Sequence, residues 1–92
     1  MRRVVVTGLG LVTPLGCGVD VSWQNLIAGR SGIAGIQSFD VTDLSSKIAG
    51  VIPRGGGPGD FNADDWVAPK DQRKMSDFIV LGIAAAQQAV ED

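Results

Sequence analysis

The sequence predicts a mixed α/β fold, and the order of its apolar segments carries that prediction. A β-branched run opens the 92-residue chain, a stretch with helical spacing follows, and a second short apolar run precedes a long apolar helix. With 45% hydrophobic residues, the composition is that of a globular protein rather than a disordered one. We therefore expect the order strand, helix, strand, helix.

The first strand is predicted over residues 2–7, where three consecutive valines precede Gly8. A β-branched run without polar alternation is typical of a strand that is buried on both faces. A basic then apolar N-terminus also resembles a signal peptide, but glycine and proline interrupt the run and no small-residue cleavage site ends it. A buried strand is the preferred interpretation.

The segment TGLGLVTPLGCG, residues 7–18, could suggest a phosphate loop or a nucleophile turn. A dinucleotide fingerprint needs a third glycine where this chain has Thr13, and a helix should follow directly. A Walker A lysine is missing as well, since no lysine follows a glycine. Cys17 has no histidine anywhere in the chain to activate it, so a small, packed loop residue is the better interpretation. We predict a tight exit from the first strand, where glycines allow close backbone packing.

The first helix is predicted at about residues 20–28, with an apolar stripe and with Gly29 as its C′ residue. Residues 31–46 are predicted to form a loop in which Phe39 is an anchor, and residues 47–52 a second strand. The segment 53–60 is rich in glycine, and we predict a flexible surface insertion rather than a binding loop. The stripe of the first helix consists of Val19, Trp23, Leu26 and Ile27.

A long helix is predicted from Pro69 to the end of the chain. It is apolar on more than one face, which is typical of a helix that other elements enclose from several sides. Gly82 within it would allow close approach of another backbone. Two strands and two helices are too few to cover such a helix, so we expect residues 1–92 to be the N-terminal segment of a longer protein.

Three basic residues cluster at the start of this helix, namely Lys70, Arg73 and Lys74. Helical spacing of i, i+3 and i+4 would place them on one face. The residues alone leave two interpretations open, a solvated helix face and a docking patch for an acidic partner.

Charge and cysteine content narrow the possible functions. Ten acidic against eight basic residues give a net charge of −2, which disfavours general nucleic-acid binding. The single cysteine favours a reducing compartment, and we expect a cytoplasmic protein. One thiol and no histidine argue against a metal site.

Taken together, several blocks of the sequence resemble the N-terminal region of the β-ketoacyl-acyl carrier protein synthases, condensing enzymes of the thiolase-like superfamily. The blocks are RRVVVTGLGLVTPLG (2–16), WQNLIAGRSGI (23–33), FD (39–40), KIAGV (47–51) and KDQRKMSDF (70–78). Each block alone is weak, but their order and spacing together are specific. The likeness covers nearly the whole chain apart from the glycine-rich segment, and it is greatest to the type II synthases that elongate longer acyl chains.

The resemblance implies a full chain several times longer, folded as two similar halves of a five-layered α/β fold and forming a homodimer. It also implies a cysteine nucleophile and two histidines that carry out a decarboxylative Claisen condensation of acyl-carrier and malonyl-carrier thioesters. Cys17 does not match that nucleophile, so no catalytic residue and no cofactor site is expected among residues 1–92. The substrates would arrive on the phosphopantetheine arm of acyl carrier protein.

Docking of the carrier is what the resemblance implies for this part of the chain. The family places basic residues at the positions of Lys70, Arg73 and Lys74, against an acidic helix of acyl carrier protein. Two alternatives remain at this stage: a polyketide ketosynthase or chain-length subunit, and a stand-alone module that binds carrier protein without chemistry.

Overall fold

The computed structural model describes residues 2–92 and contains both helices and strands, as predicted. Within these residues, two small antiparallel sheets, three α-helices and one 3₁₀ helix form an elongated body of 54 × 38 × 29 Å. In chain order the elements are β1 (Val12–Thr13), β2 (Gly16–Cys17), α1 (Val19–Ile27), β3 (Ile33–Gly35), β4 (Ile48–Gly50), the 3₁₀ helix (Ala63–Asp65), α2 (Pro69–Gln72) and α3 (Asp77–Glu91).

The predicted first strand is wrong. Residues 2–7 form no regular element, and the side chains of Val4, Val5 and Val6 are 94%, 75% and 78% exposed. A strand buried on both faces needs a neighbouring strand for its backbone groups and packed layers above and below it. Residues 2–92 supply none of these to the valine run.

The close backbone packing predicted for the glycines of the next segment is confirmed, but there is no first strand for this segment to leave, and the first sheet lies here instead. β1 pairs with β2 in a short hairpin, with Val12 opposite Cys17 and Thr13 opposite Gly16. Cys17 therefore lies in a strand rather than in the predicted loop. The preceding glycines lie directly on α3, because a Cβ atom at Gly8 or Gly10 would collide with the backbone carbonyl oxygen of Ala89 or Ala85.

Helix α1 covers Val19–Ile27, one residue earlier than predicted at each end. Gly29 has φ +74° and the Arg30 N–H donates to the Asn25 carbonyl at 3.0 Å, which confirms the C′ glycine. The predicted apolar stripe, however, faces outward, and the buried residue of the helix is Ser22.

Polar contacts explain why α1 packs through its hydroxyl side. The Ser22 hydroxyl lies 2.9 Å from the Thr13 hydroxyl and donates to the Gly16 carbonyl at 3.2 Å. The Asn25 amide donates to the Leu15 carbonyl at 2.7 Å. These bonds attach α1 to the β1–β2 hairpin, and Trp23 remains 57% exposed on the other side.

The predicted loop 31–46 contains a strand that the sequence did not reveal. β3 pairs with β4 in antiparallel register, with Ala34 opposite Ala49, so the predicted strand 47–52 is confirmed in a shorter form. Phe39 is 59% exposed, and the prediction that it anchors the loop is wrong.

The core lies between α3 and the segment that precedes α2. Its buried hydrophobic residues are Phe61, Val67, Val80 and Ala84. Both ends of α3 carry large exposed side chains, Phe78 near its start and Val90 near its end. Among residues 2–92, nothing lies within 4 Å of a Cβ atom placed on Gly82, so the close approach predicted there does not occur among them.

Candidate functional site

The three basic residues lie on a turn between two helices rather than on one helix face. The predicted long helix is interrupted: α2 ends at Gln72 and α3 begins at Asp77. Between them the Lys74 N–H donates to the Asp71 carbonyl at 3.1 Å, and Ser76 is extended with φ −71° and ψ 153°. Serine favours this N-cap conformation over a helix interior.

We call the segment Pro69–Ser76 the basic turn. The structure keeps Lys70, Arg73 and Lys74 close along this turn, and all three are exposed. Lys70 lies within α2, Arg73 is its C-cap residue, and Lys74 follows in the turn. The shared helix face predicted from their spacing is therefore wrong, although their proximity and exposure remain.

Gln72 attaches the basic turn to the body of the protein. Its side-chain amide donates to the Asp64 carboxylate at 2.8 Å and to the Val67 carbonyl at 2.7 Å. Val67 belongs to the core, and Met75 on the other side of the turn also packs against the core. The backbone that carries the three basic side chains is therefore attached to the body of the protein on its inner side. Spacing in the sequence could not identify Gln72, because its partners lie in a preceding segment.

Ion pairing also distinguishes the basic turn. In the described part of the chain, the single ion pair joins Arg54 to Asp77 at 2.9 Å. Lys70, Arg73 and Lys74 therefore point their charges into solvent within residues 2–92. Exposed unpaired cations of this kind attract an acidic surface at long range.

A second surface feature is an apolar cleft between α1, the segment 9–15 and β3. Its volume is about 640 Å³, and Leu11, Trp23, Leu26 and Ile33 contribute to its walls. Arg30 also lines this cleft and does not belong to the basic turn. Three of the four residues in the predicted apolar stripe of α1, Val19, Trp23 and Leu26, line this cleft.

Cys17 is half-buried and its surroundings favour the neutral thiol. Burial raises the pKa of Cys17 above its ordinary value near 9.0, hydrogen bonds from Gln88 and Trp66 partly offset that rise, and the negative charge of Asp65 adds to it. The Gln88 amide nitrogen lies 3.7 Å from the sulfur. A nucleophilic cysteine needs a lowered pKa, so this geometry does not activate the thiol.

Residues 2–92 contain no group of three or more histidine, cysteine, aspartate or glutamate side chains that is arranged to hold a metal ion. Within the same residues, no helix is long and apolar enough to span a bilayer.

The whole chain, residues 1–92, matches the family model described as β-ketoacyl synthase, N-terminal domain. The 3-oxoacyl-acyl-carrier-protein synthase 2 of Rhizobium meliloti is 54% identical over 93 residues, which cover 100% of this chain and 22% of the relative. The enzyme of the same name from Vibrio cholerae is 46% identical over 91 residues, covering 99% and 20%.

A eukaryotic relative shows the same partial coverage. The mitochondrial 3-oxoacyl-acyl-carrier-protein synthase of Arabidopsis thaliana is 41% identical over 105 residues, covering 99% of this chain and 22% of the relative. The chain thus spans about a fifth of the length of the curated relatives it matches.

Proposed function

The chain belongs to the β-ketoacyl synthase family, and from this premise we propose that it forms the N-terminal part of a 3-oxoacyl-acyl carrier protein synthase in fatty-acid elongation. Such an enzyme holds the acyl group as a thioester on a cysteine and removes CO₂ from malonyl-acyl carrier protein. The resulting carbanion attacks the thioester carbonyl and expels the cysteine thiolate, which gives 3-oxoacyl-acyl carrier protein. The names of the relatives support this reaction over polyketide synthesis, because each is called a 3-oxoacyl-acyl-carrier-protein synthase.

In this proposal residues 1–92 supply scaffold and not chemistry. The sequence contains no histidine, and the pKa of its single cysteine is raised rather than lowered. We therefore assign the nucleophile and the two histidines of the condensation to polypeptide beyond these residues. We also propose that the complete protein adopts the five-layered thiolase-like fold, forms a homodimer and works in the cytoplasm.

Exposed apolar surface supports the view that further polypeptide covers this chain. The valine run 4–6, the outer side of α1 and both ends of α3 carry large exposed hydrophobic side chains. Buried apolar surface stabilises a fold by about 25 cal/mol per Å², so extensive exposure of this kind favours contact with other chain segments.

The carrier-docking role is proposed for the basic turn. The observation that supports it is the exposure of three cations, Lys70, Arg73 and Lys74, which form no ion pair within residues 2–92, on a backbone that Gln72 attaches to the core. An acidic carrier protein would meet this surface first through long-range attraction, and the fixed backbone would then orient it. Exposed charge pairs each contribute about 1 kcal/mol or less, so rate of encounter and orientation should be the main effects.

Charge reversal tests the docking role. The triple variant Lys70→Glu, Arg73→Glu, Lys74→Glu is made in the native-length protein and assayed with carrier-bound substrates. We expect KM to rise about tenfold or more with kcat little changed, and the difference to shrink as salt is added. Lys47→Glu reverses an exposed charge away from both the basic turn and the apolar cleft and should leave KM near the wild-type value. An unchanged KM and salt dependence in the triple variant would remove the basic turn from the interface.

A further inference from the structure

Arg54 lies at the start of the glycine-rich segment and is held in one orientation. Its Nη2 atom is 3.0 Å and 2.9 Å from the two carboxylate oxygens of Asp77. Its guanidinium carbon lies 5.1 Å from the ring centroid of Phe61, which is almost fully buried. The Phe61 N–H also donates to the Pro53 carbonyl at 2.7 Å, next to Arg54 in the chain. The guanidinium is therefore placed against the core although it remains partly exposed.

Asp77, the partner of Arg54, lies beside the basic turn. It is in the first turn of α3 and follows Lys74 by three residues. Three residues of extended chain span at most about 11 Å, which is close to the Debye length at 0.1 M salt, about 10 Å. An unpaired carboxylate at this position would consequently repel an acidic partner bound to Lys74.

The ion pair changes the net charge of the surface around the basic turn. Between Lys70 and Asp77 there are three cations and two carboxylates, Asp71 and Asp77, which leave one net positive charge. Arg54 neutralises Asp77 and raises the net charge of the surface to two positive. The one ion pair in residues 2–92 thus falls on a carboxylate that flanks the basic turn.

We propose that Arg54 masks Asp77, so that an acidic carrier protein meets a positive surface without a repulsive carboxylate at its edge. This inference rests on the docking role proposed for the basic turn and deepens it. Arg54 acts as a positioning residue, through its effect on Asp77. The glycine-rich segment, predicted to be only a surface insertion, thereby contributes to partner recognition.

A competing role is mechanical, because the same ion pair also attaches the glycine-rich segment to α3. The two roles predict different behaviour when both partners are removed. If masking matters, removing the carboxylate repairs the loss of arginine. If attachment matters, Arg54→Gln, Asp77→Asn and the double variant all break the same link and weaken binding alike.

The test measures the affinity of the native-length protein for purified holo-acyl carrier protein by calorimetry at low and high salt. We expect Arg54→Gln to weaken binding about two- to fivefold at low salt, with the deficit lost at high salt. Asp77→Asn alone should bind at least as tightly as wild type, and the double variant should return to the wild-type affinity. Arg54→Lys keeps the charge but loses the contact with both carboxylate oxygens, so its affinity should lie between those of wild type and Arg54→Gln.

Two controls separate the possible failures. Lys47→Gln removes one positive charge at an exposed position outside the apolar cleft and should not change the affinity, which excludes an effect of net charge alone. Thermal unfolding of each variant shows whether folding is retained. Equal losses in all three variants of the pair would overturn masking in favour of attachment. An unchanged Arg54→Gln affinity, where the triple reversal still abolishes binding, would overturn masking alone. If the triple reversal has no effect, the docking role itself fails.

Discussion

Alanine substitutions at Gly10 and Gly82 should change the free energy of unfolding in opposite directions. Gly10 contacts the backbone of α3, whereas Gly82 lies within α3 beside open space. In Gly10→Ala the new Cβ atom would collide with the Ala85 carbonyl oxygen and would lie 2.8 Å from the Ala89 nitrogen. Both are backbone atoms of a helix, so they cannot rotate away as a side chain could. The segment must then move off α3.

Moving the segment would cost several interactions at once. The Leu9 N–H donates to the Asp92 carboxylate at 3.0 Å, and the Leu11 N–H donates to the Gln88 side chain at 3.1 Å. Each such bond contributes about 0.5–1.5 kcal/mol, so the loss of both costs about 1–3 kcal/mol, and overpacking with the segment left in place costs about the same. We expect Gly10→Ala to lower the free energy of unfolding by about 1–3 kcal/mol.

Gly82→Ala is the matched control, because it adds the same methyl group within α3 itself. A Cβ atom there meets open space among residues 2–92, and alanine is favoured over glycine in a helix interior by about 1 kcal/mol. We expect Gly82→Ala to raise the free energy of unfolding by about 0.5–1 kcal/mol. Urea unfolding of the 92-residue chain, followed by far-UV circular dichroism at several protein concentrations, measures both changes. Equal stability of wild type and Gly10→Ala would refute the backbone contact with α3.

Three further substitutions or conditions test other contacts. Phe61→Ala removes the largest fully buried side chain of the described residues and should lower the free energy of unfolding by about 3–5 kcal/mol in the same urea titration. A decrease of less than about 1 kcal/mol would contradict the central place of Phe61 in the core. Gln72→Ala leaves the Val67 carbonyl without its side-chain donor, so we expect the free energy of unfolding to fall by about 1–2 kcal/mol and carrier binding by the native-length protein to weaken. Gln87→Ala removes an exposed bond to Glu91 within α3 and should change neither free energy by more than about 0.5 kcal/mol. Burial raises the pKa of Cys17, so its alkylation by iodoacetamide should reach half its maximal rate at a higher pH in the folded protein than in the urea-unfolded chain. The pKa of the thiol is higher in the folded state than in the unfolded state. Its contribution to stability is therefore present below the unfolded pKa and is lost as pH rises through the folded pKa. Faster alkylation in the folded protein would contradict the burial effect.

Local signals in the sequence predicted the local features of the fold. Helix α1 and its C′ residue Gly29 follow from apolar spacing and from the need for positive φ at that position, and both are confirmed. The strand predicted for the valine run does not form, because strand pairing depends on segments distant in sequence and residues 2–92 offer this run no partner. β3 was missed for the related reason that Ile33–Gly35 is a strand only through its pairing with β4.

The direction in which α1 packs could not be predicted from its apolar stripe. Periodicity identifies which residues share a face, but the surface that the face meets is set by tertiary contacts. Here Ser22 and Asn25 bond to the β1–β2 hairpin, and Trp23 is left at the open cleft. In a family whose curated members are about five times longer, an apolar face left open by residues 2–92 is the surface on which we expect further polypeptide to pack.

For the candidate site, the sequence predicted the charged residues but not their arrangement in space. The identities of Lys70, Arg73 and Lys74 could be read from the sequence, because clustered cations need no tertiary information to be recognised. Their arrangement could not be read, since the apolar periodicity continues through the break at Ser76 while the backbone turns. Arg54 was missed because it lies 16 residues before Lys70 in the sequence and reaches α3 only through the fold. If the proposed docking role holds, two segments set the charge of that surface: the basic turn would supply the attraction, and Arg54 of the glycine-rich segment would determine whether the Asp77 carboxylate opposes it.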